Sequence, residues 1–196
     1  MSILSKLKCP VFAVEGVPNL SEDDYRIVVD GLVKEKKLFT FNDIKNMPFS
    51  RINSRLTSVS LWSVRANWDG VTWDDFLKYI EPDTKADHVN FYSYSGYTTA
   101  VSLSDLSYQK VMLVYGVDGE PLEPDYGGPL RMVVPNLWGY KSCKWLVRIE
   151  FIKSMIGGFW EDRGYTRSGI IEPTTVLDVN TKTRRKIIGG GEVTEF

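Results

Sequence analysis

Histidine is nearly absent from this chain: His88 is the only one, and cysteine occurs twice, at Cys9 and Cys143. A structural zinc site needs several thiolate or imidazole ligands, and these residues are too few to build one. A Ser-His-Asp machine would have to run through His88, which follows Asp87 at the start of an apolar stretch and reads better as a surface residue at a strand end. The two cysteines are far apart and form no C-x-x-C pair, so no disulfide framework is expected. No apolar run approaches the roughly 20 residues of a membrane helix. The N-terminal MSILSKLKCPVFAVEG carries lysines inside its apolar run and no clear small-residue cleavage site, which makes a poor signal peptide. The expected compartment is the cytoplasm. Charge of one sign is lacking as well: 24 basic residues face 25 acidic ones, with no long run of either. That excludes a phosphate-tracking nucleic-acid surface, though not a local basic pocket. No G-x-G-x-x-G follows a strand and no Walker motif is present, which leaves nucleotide binding with little support.

What is present is a globular composition, 43% apolar over 196 residues and rich in Trp, Tyr and Phe. Tyr25 to Val33 alternates and ends near Asp30-Gly31, a strand entering a hairpin. Phe39 to Met47 reads as a short helix stopped by Pro48. Thr72 is placed to cap a helix running from Trp73 to Ile80, with Asp74 and Asp75 in its first turn. Val89 to Tyr94 and Tyr97 to Leu103 flank Ser95-Gly96 as a hairpin, with Ser102 or Ser104 capping a short turn. Val111 to Val117 and Leu130 to Val134 are strands. Along Lys144 to Lys153, alternation puts Trp145, Val147, Ile149 and Phe151 on one face and Leu146, Arg148 and Glu150 on the other. Beyond Gly157-Gly158 the pattern weakens into a polar tail, basic from Thr181 to Lys186, expected as an arm or hairpin. Many short strands with few short helices predict an α+β fold, a single domain over 1–196.

Chemistry concentrates between Tyr115 and Ile149. Gly-Pro-rich turns put Arg131 and Lys144 near strand ends, and Gly127, Gly128 and Gly139 let backbone approach a ligand. Arg131 offers a fork to an anionic oxygen and Lys144 a point charge. Alternation sets Ser142 and Lys144 on one side of the chain and Cys143 on the other. Physically this is either an anion site, for instance for a phosphate, or a turn-rich β region with ordinary surface cations.

D-G-E-P-L, then Y-G-G-P-L-R-M-V-V-P, then G-Y-K-S-C-K-W-L closely resemble the molybdopterin domain of the sulfite oxidase family. That family shows N-G-x-x-L, then H/N-G-x-P-x-R-x-x-x-P, then G-x-K/R-S-x-K-W. Upstream, V-D-G-L-V, F-T-F-N-D-I, S-V-S-L-W-S-V, W-D-G-V and G-Y-T-T match in order and spacing. The family-like core covers about residues 11–155, with 156–196 a C-terminal extension. The resemblance implies a sulfite-oxidase-like, β-rich fold with short helices, and a pyranopterin whose dithiolene and phosphate carry molybdenum, completed in the family by one cysteine thiolate. It implies Arg131, Ser142, Cys143 and Lys144 as cofactor-binding. Tyr126 stands where the family has His or Asn, and Ser93 is a further candidate whose alignment depends on loop length. Tyr115 matches the active-site tyrosine of the sulfite-oxidising members. The other reading, a strand tyrosine with its hydroxyl at the edge, stands beside that one.

The chain departs from the family at the metal position, where Ser58 replaces the cysteine. A hydroxyl must lose a proton of much higher pKa to ligate strongly. Ser58 is therefore an alkoxide ligand, or a hydrogen-bonding group in a site held by the dithiolene, or the mark of a non-catalytic relative that binds a pterin or other phosphorylated ligand, or an engineered change. Cys143 as substitute ligand is disfavoured by its orientation, and Cys9 reads as a small apolar filler before a strand. Arg55 and Arg65 flank the Ser58 segment as candidates for an anionic substrate, beside the commoner reading of solvated surface arginines, and Trp62 and Trp68 are candidate walls for the cofactor, beside the commoner reading of core packing. The expected function is two-electron oxo transfer on a small oxyanion or sulfoxide-type substrate. Without a haem-binding H-P-G-G segment, electrons are expected from a separate protein.

Overall fold

A computed structural model describes residues 1–13 and 16–196; Val14 and Glu15, inside the apolar N-terminal run, lie outside the described residues. Helix α1 (Ile3–Lys6) opens the chain, its first turn capped by the Ser2 hydroxyl. β1 (Arg26–Gly31) and β2 (Lys37–Thr40) form the expected antiparallel hairpin. Thr40 and Asp43 then make a capping box for α2 (Phe41–Lys45), satisfying two backbone donors reciprocally. β3 (Ser50–Ser58) and β4 (Trp62–Thr72) are paired along their whole length, bringing Ser58 opposite Trp62 at the turn. Thr72 caps α3 (Trp73–Leu77), as its sequence position predicts. β5 (His88–Ser93) and β6 (Thr98–Ser102) are the expected hairpin, and Ser102 caps α4 (Leu103–Leu106). β7 (Met112–Val117) turns through Asp118 and Gly119, both at positive φ, into β8 (Glu120–Pro121). β9 (Arg131–Val133), β10 (Leu146–Ile152), β11 (Thr174–Asp178) and β12 (Thr183–Ile187) complete the set.

Two sheets result. One runs β2-β1-β10-β5-β6, with β1 parallel to β10. The other runs β12-β11-β4-β7-β8, with β3 on β4 and β9 on β7. The C-terminal tail forms a hairpin, β11–β12, whose first strand joins β4 in parallel. The tail is pinned further along: the Glu192 carboxylate accepts from the Tyr108 hydroxyl at 2.6 Å and from Lys110 at 2.8 Å.

Alternation along β7 separates two cores. Leu113 packs in the larger one with Ile27, Phe76, Phe91 and Phe151, while Met112 and Val114 face a second one with Leu56, Trp68 and Tyr126. On β10 the expected alternation fails. A bulge between Leu146 and Arg148 shifts the register, so Leu146, Ile149 and Phe151 are the fully buried residues and Val147 is only partly buried. One extra residue in a strand moves every side chain before it to the other face. His88, at the first position of β5, sets its Nδ1 3.4 Å from the Lys153 carbonyl at an exposed strand end.

Candidate cofactor-binding site

A cleft opens beside the second core. Ser58, Ser93, Tyr126, Arg131, Ser142 and Lys144 all line it, drawn from five different segments of the chain. The β3–β4 turn brings Ser58 and Trp62, the end of β5 brings Ser93, and the 3-10 turn Pro124–Tyr126 brings Tyr126. Gly127, at φ +104, holds this turn against Lys144: a Cβ there would meet Lys144 Cγ at 2.8 Å.

Arg131 is the electrostatic centre of the cleft. Its Nε donates to the Met132 carbonyl (3.1 Å), Nη1 to Tyr126 (2.7 Å) and Nη2 to Ser142 (3.1 Å). Burial pushes its pKa down from 12.5 to about 10, so it stays cationic at neutral pH. It makes no ion pair among the described residues. Three of its five N–H donors are committed to carbonyls, which leaves two for a ligand. Ser142 Oγ accepts from the Val134 N–H at 2.9 Å and keeps its own hydrogen to give. Lys144 donates to the carbonyls of Phe12 and, at 3.3 Å, Asp125, and lies over the Trp145 ring at 4.5 Å. The Tyr126 hydroxyl donates to the Cys9 carbonyl at 3.3 Å, so the segment after α1 lies against the cleft.

Ser58 stands at the last residue of β3 and is partly exposed to the cleft; its Oγ accepts from the Ser60 N–H at 3.1 Å. Trp62 and Trp68 both line the cleft. Trp68 Nε1 donates to the Ser54 carbonyl, whereas Trp62 Nε1 is buried with no partner. The Ser93 hydroxyl interacts with Ser95 and accepts from its N–H.

Several expectations need correction. Tyr115 does not line the cleft. It sits on the larger-core face of β7, edge-on to Phe41 at 6.2 Å, because alternation sends it the opposite way from Val114. Burial, then the Asp69 charge, raises its pKa. The strand reading of Tyr115 is the one its position fits. The Cys143 side chain turns away into the larger core, on the side alternation gives it, with Sγ 3.6 Å from the Lys144 carbonyl, and it does not line the cleft. Cys9 follows α1 rather than preceding a strand. It is buried in the second core, lines the cleft, and has its thiol pushed up to about 12 by burial against the opposing Lys182 and Arg131 charges. Arg55 is committed to Asp178 at 3.1 Å and stacks on Phe196, and Arg65 donates to Asn53 and the Thr194 carbonyl; neither lines the cleft. Sequence reasoning missed Tyr140, Trp160 and Tyr165, which do line it, and the fully buried Lys141 behind them. Tyr140 and Lys141 stand in the G-Y-K-S-C-K-W-L motif, with Lys141 at its K/R position, whereas Trp160 and Tyr165 gave only aromatic density in a stretch of weak periodicity.

The comparisons with known proteins agree with this architecture. Residues 14–160 match the family model described as "Oxidoreductase molybdopterin binding domain". The chain is 35% identical over 162 residues to YuiH of Bacillus subtilis, named an uncharacterized oxidoreductase, covering 82% of each protein. It is 30% identical over 145 residues to a putative protein-methionine-sulfoxide reductase subunit, YedZ1, of Azospira oryzae, covering 74% of this chain and 55% of that one. It is 27% identical over 152 residues to the protein-methionine-sulfoxide reductase catalytic subunit MsrP of Ralstonia nicotianae, covering 69% and 46%. The chain thus spans about half the length of these two named reductases. In structure it resembles the sulfane dehydrogenase SoxCD of Paracoccus pantotrophus, with a TM-score of 0.69 at 20% identity over 89% of this chain and 47% of that one. The chain belongs to the oxidoreductase molybdopterin-binding domain family, whose cofactor is molybdenum-molybdopterin and whose fold is sulfite-oxidase-like.

Proposed function

We propose that this domain is a molybdopterin-dependent oxidoreductase that removes oxygen from a sulfoxide-type substrate. The observation that carries the reading is the buried Arg131 guanidinium in the cleft, with no carboxylate partner among the described residues and two donors to spare. A buried cation without a counter-charge is costly unless a ligand supplies one. The organic part of the cofactor fits the residues present: Arg131 and Lys144 would hold its anionic end, Ser142 would add a hydroxyl, and the unpartnered Trp62 Nε1 offers a further donor. Ser58 is the protein group at the family's thiolate position.

When bound, the cofactor supplies the two-electron redox chemistry. The chain's own residues orient it through Arg131, Ser142 and Lys144, and Trp62 and Trp68 wall it. Overall, a sulfoxide takes up two electrons and two protons, its sulfur–oxygen bond breaks, and a thioether and water leave. The electrons come from a separate donor protein, a reading supported by the word "subunit" in the names of both reductase relatives.

The test is protein made in a molybdenum-cofactor-producing host, analysed for metal and for oxidised pterin by fluorescence, and assayed for sulfoxide reduction with a reduced viologen dye. Molybdenum, pterin and turnover together are the expected result. Pterin without metal or turnover would favour a non-catalytic binder, and neither would overturn the reading. Arg131→Ala should lower cofactor content, since the lost charge-assisted contact is worth about 1.5–3 kcal/mol.

A further inference from the structure

The outer wall of the cleft is aromatic, with Tyr97 and Tyr140 from the family-like core and Trp160 and Tyr165 from the segment at and just past its end. Trp160 and Tyr165 stack with centroids 5.1 Å apart and planes 16° apart. Tyr140 meets Tyr165 edge-on at 5.2 Å, and Phe159 meets Trp160 edge-on at 5.1 Å. Tyr97 closes the group at 5.8 Å from Phe159 and donates its hydroxyl to the Tyr140 carbonyl. Tyr97, Tyr140, Trp160 and Tyr165 line the same cleft as Ser58.

This wall is anchored from behind. The Lys141 ammonium, fully buried, donates to the Glu161 carboxylate (2.6 Å) and to the Ala100 (2.8 Å) and Arg167 (2.6 Å) carbonyls, and Glu161 also accepts from Thr99 at 2.6 Å. Glu161 follows Trp160 in the chain, and Lys141 lies between Tyr140 and Ser142. One buried ion pair therefore ties the aromatic wall to the segment that contacts Arg131.

Charge is distributed unevenly around the cleft. Among the described lining residues the cations are Arg131 and Lys144. Both reach the Pro124–Tyr126 turn, one bonding the Tyr126 carbonyl and the other that of Asp125. Arg163 covers Phe159 at 3.8 Å but is not part of the lining. Arg55 and Arg65, the cations nearest Ser58 in sequence, are bonded elsewhere. A doubly charged oxyanion entering along the aromatic side would lose hydration with no cation to receive it. A neutral, polarisable group gains contact there, because sulfur and aryl groups pack favourably against aromatic rings.

We propose that the stacked Trp160–Tyr165 pair is the specificity wall of this site, receiving the apolar arm of a neutral sulfoxide and offering small oxyanions no binding partner on that side of the cleft. This rests on the oxidoreductase reading and adds to it the residues that select the substrate. Trp160 and Tyr165 act on binding, so their loss moves KM and spares kcat.

The test compares loaded wild type with Trp160→Ala, Trp160→Phe and Tyr165→Ala on methyl phenyl sulfoxide and on dimethyl sulfoxide, with near-UV circular dichroism to check folding. Trp160→Ala should raise KM for methyl phenyl sulfoxide about fivefold, with kcat and the KM for dimethyl sulfoxide within about twofold, and Trp160→Phe should recover most of the loss. Equal effects on both substrates, or none, would overturn the proposal, and Trp160→Phe keeps the test valid where the alanine variant misfolds. A second arm follows methyl phenyl sulfoxide binding by saturation-transfer NMR, with excess sulfate as competitor. Signal lost in the Trp160 and Tyr165 variants and insensitive to sulfate is the expected result. Unchanged signal in those variants, or displacement by sulfate, removes the wall. If wild type turns over neither sulfoxide, the oxidoreductase reading on sulfoxides fails, while the binding arm still decides the wall.

Discussion

Ser58 concentrates the chemical question into one atom. Its hydroxyl lies at the end of β3, opposite Trp62, in a cleft that also holds Arg131, Ser142 and Lys144. A serine oxygen is harder than a thiolate and keeps its proton at neutral pH, so it donates little charge to a high-valent metal. Ser58→Cys should therefore raise molybdenum retention and shift the metal's absorption bands, with stability nearly unchanged because the swap adds little volume at a partly exposed position. Metal content by mass spectrometry, on protein from a cofactor-producing host, checks this; retention no higher than the parent's would reject Ser58 as the metal-facing residue. Legibility at this scale followed motif density. Arg131, Ser142, Lys144 and Tyr126 lie in a tight run of glycine and proline turns, so their convergence was readable. Tyr115 was left between two readings because a four-residue offset from Gly119 says nothing about which face of β7 a side chain takes. Arg55 was misplaced because its partner, Asp178, is 123 residues away.

Among the elements, the hairpins and two of the capped helices were legible because local chemistry specifies them: Thr72 caps its helix as its position suggests and Ser102, one of two candidates, caps the next, whereas the helix read from Phe39 starts only at Phe41 because Phe39 and Thr40 belong to β2 and Thr40 is the cap. β3 and β4 were not legible, since Arg51, Asn53, Arg55, Arg65 and Asn67 interrupt their apolar pattern and find their partners across strands, in turns or in the C-terminal extension, such as Asn53 with Asn67 and Arg55 with Asp178. The bulge in β10 was equally invisible, being a property of pairing with β5. The C-terminal tail is held by ion pairs whose partners are distant in sequence, which makes two outcomes measurable. Glu161→Ala leaves the Lys141 charge buried and unpaired and should cost about 3–5 kcal/mol in denaturant unfolding; a loss under about 1 kcal/mol would show that the pair relaxes into solvent. Asp178 responds to pH. Burial alone would raise its pKa, but hydrogen bonds from Arg55 and Thr181, the Arg55 charge and the Asn180 N–H outweigh this and hold the carboxyl below its ordinary value. The folded-state pKa is thus depressed, so the stability it contributes is present above the ordinary aspartate range and is lost as pH falls through the lowered value. Unfolding midpoints should drop on acidification below about pH 4, and Asp178→Asn should flatten that drop.

For the whole molecule, the two sheets, the N-terminal segment and the C-terminal extension meet around one cleft whose deepest charge is Arg131. Among the described residues that cation is buried against three carbonyl dipoles and no anion. An anionic ligand that binds only the folded state stabilises it by mass action, about 2.7 kcal/mol at a hundredfold excess over its dissociation constant. For a domain of this size each kcal/mol moves the melting temperature by roughly 2–4 °C. Cofactor-loaded protein should thus melt at least several degrees above cofactor-free protein. Millimolar inorganic phosphate, a fragment of the cofactor's anionic end, should raise the midpoint of the cofactor-free form by a smaller amount. The contribution of general ionic strength is separated by matching with chloride, since chloride screens charge but lacks phosphate's geometry for a guanidinium fork. Arg131→Gln keeps a donor for the backbone carbonyls while removing the charge, so it should abolish the phosphate-specific shift without collapsing the fold. Scanning calorimetry on wild type and Arg131→Gln, with and without phosphate, gives the comparison. An equal phosphate response in both proteins would place the anion somewhere other than Arg131 and would remove the electrostatic basis for reading this cleft as the cofactor's seat.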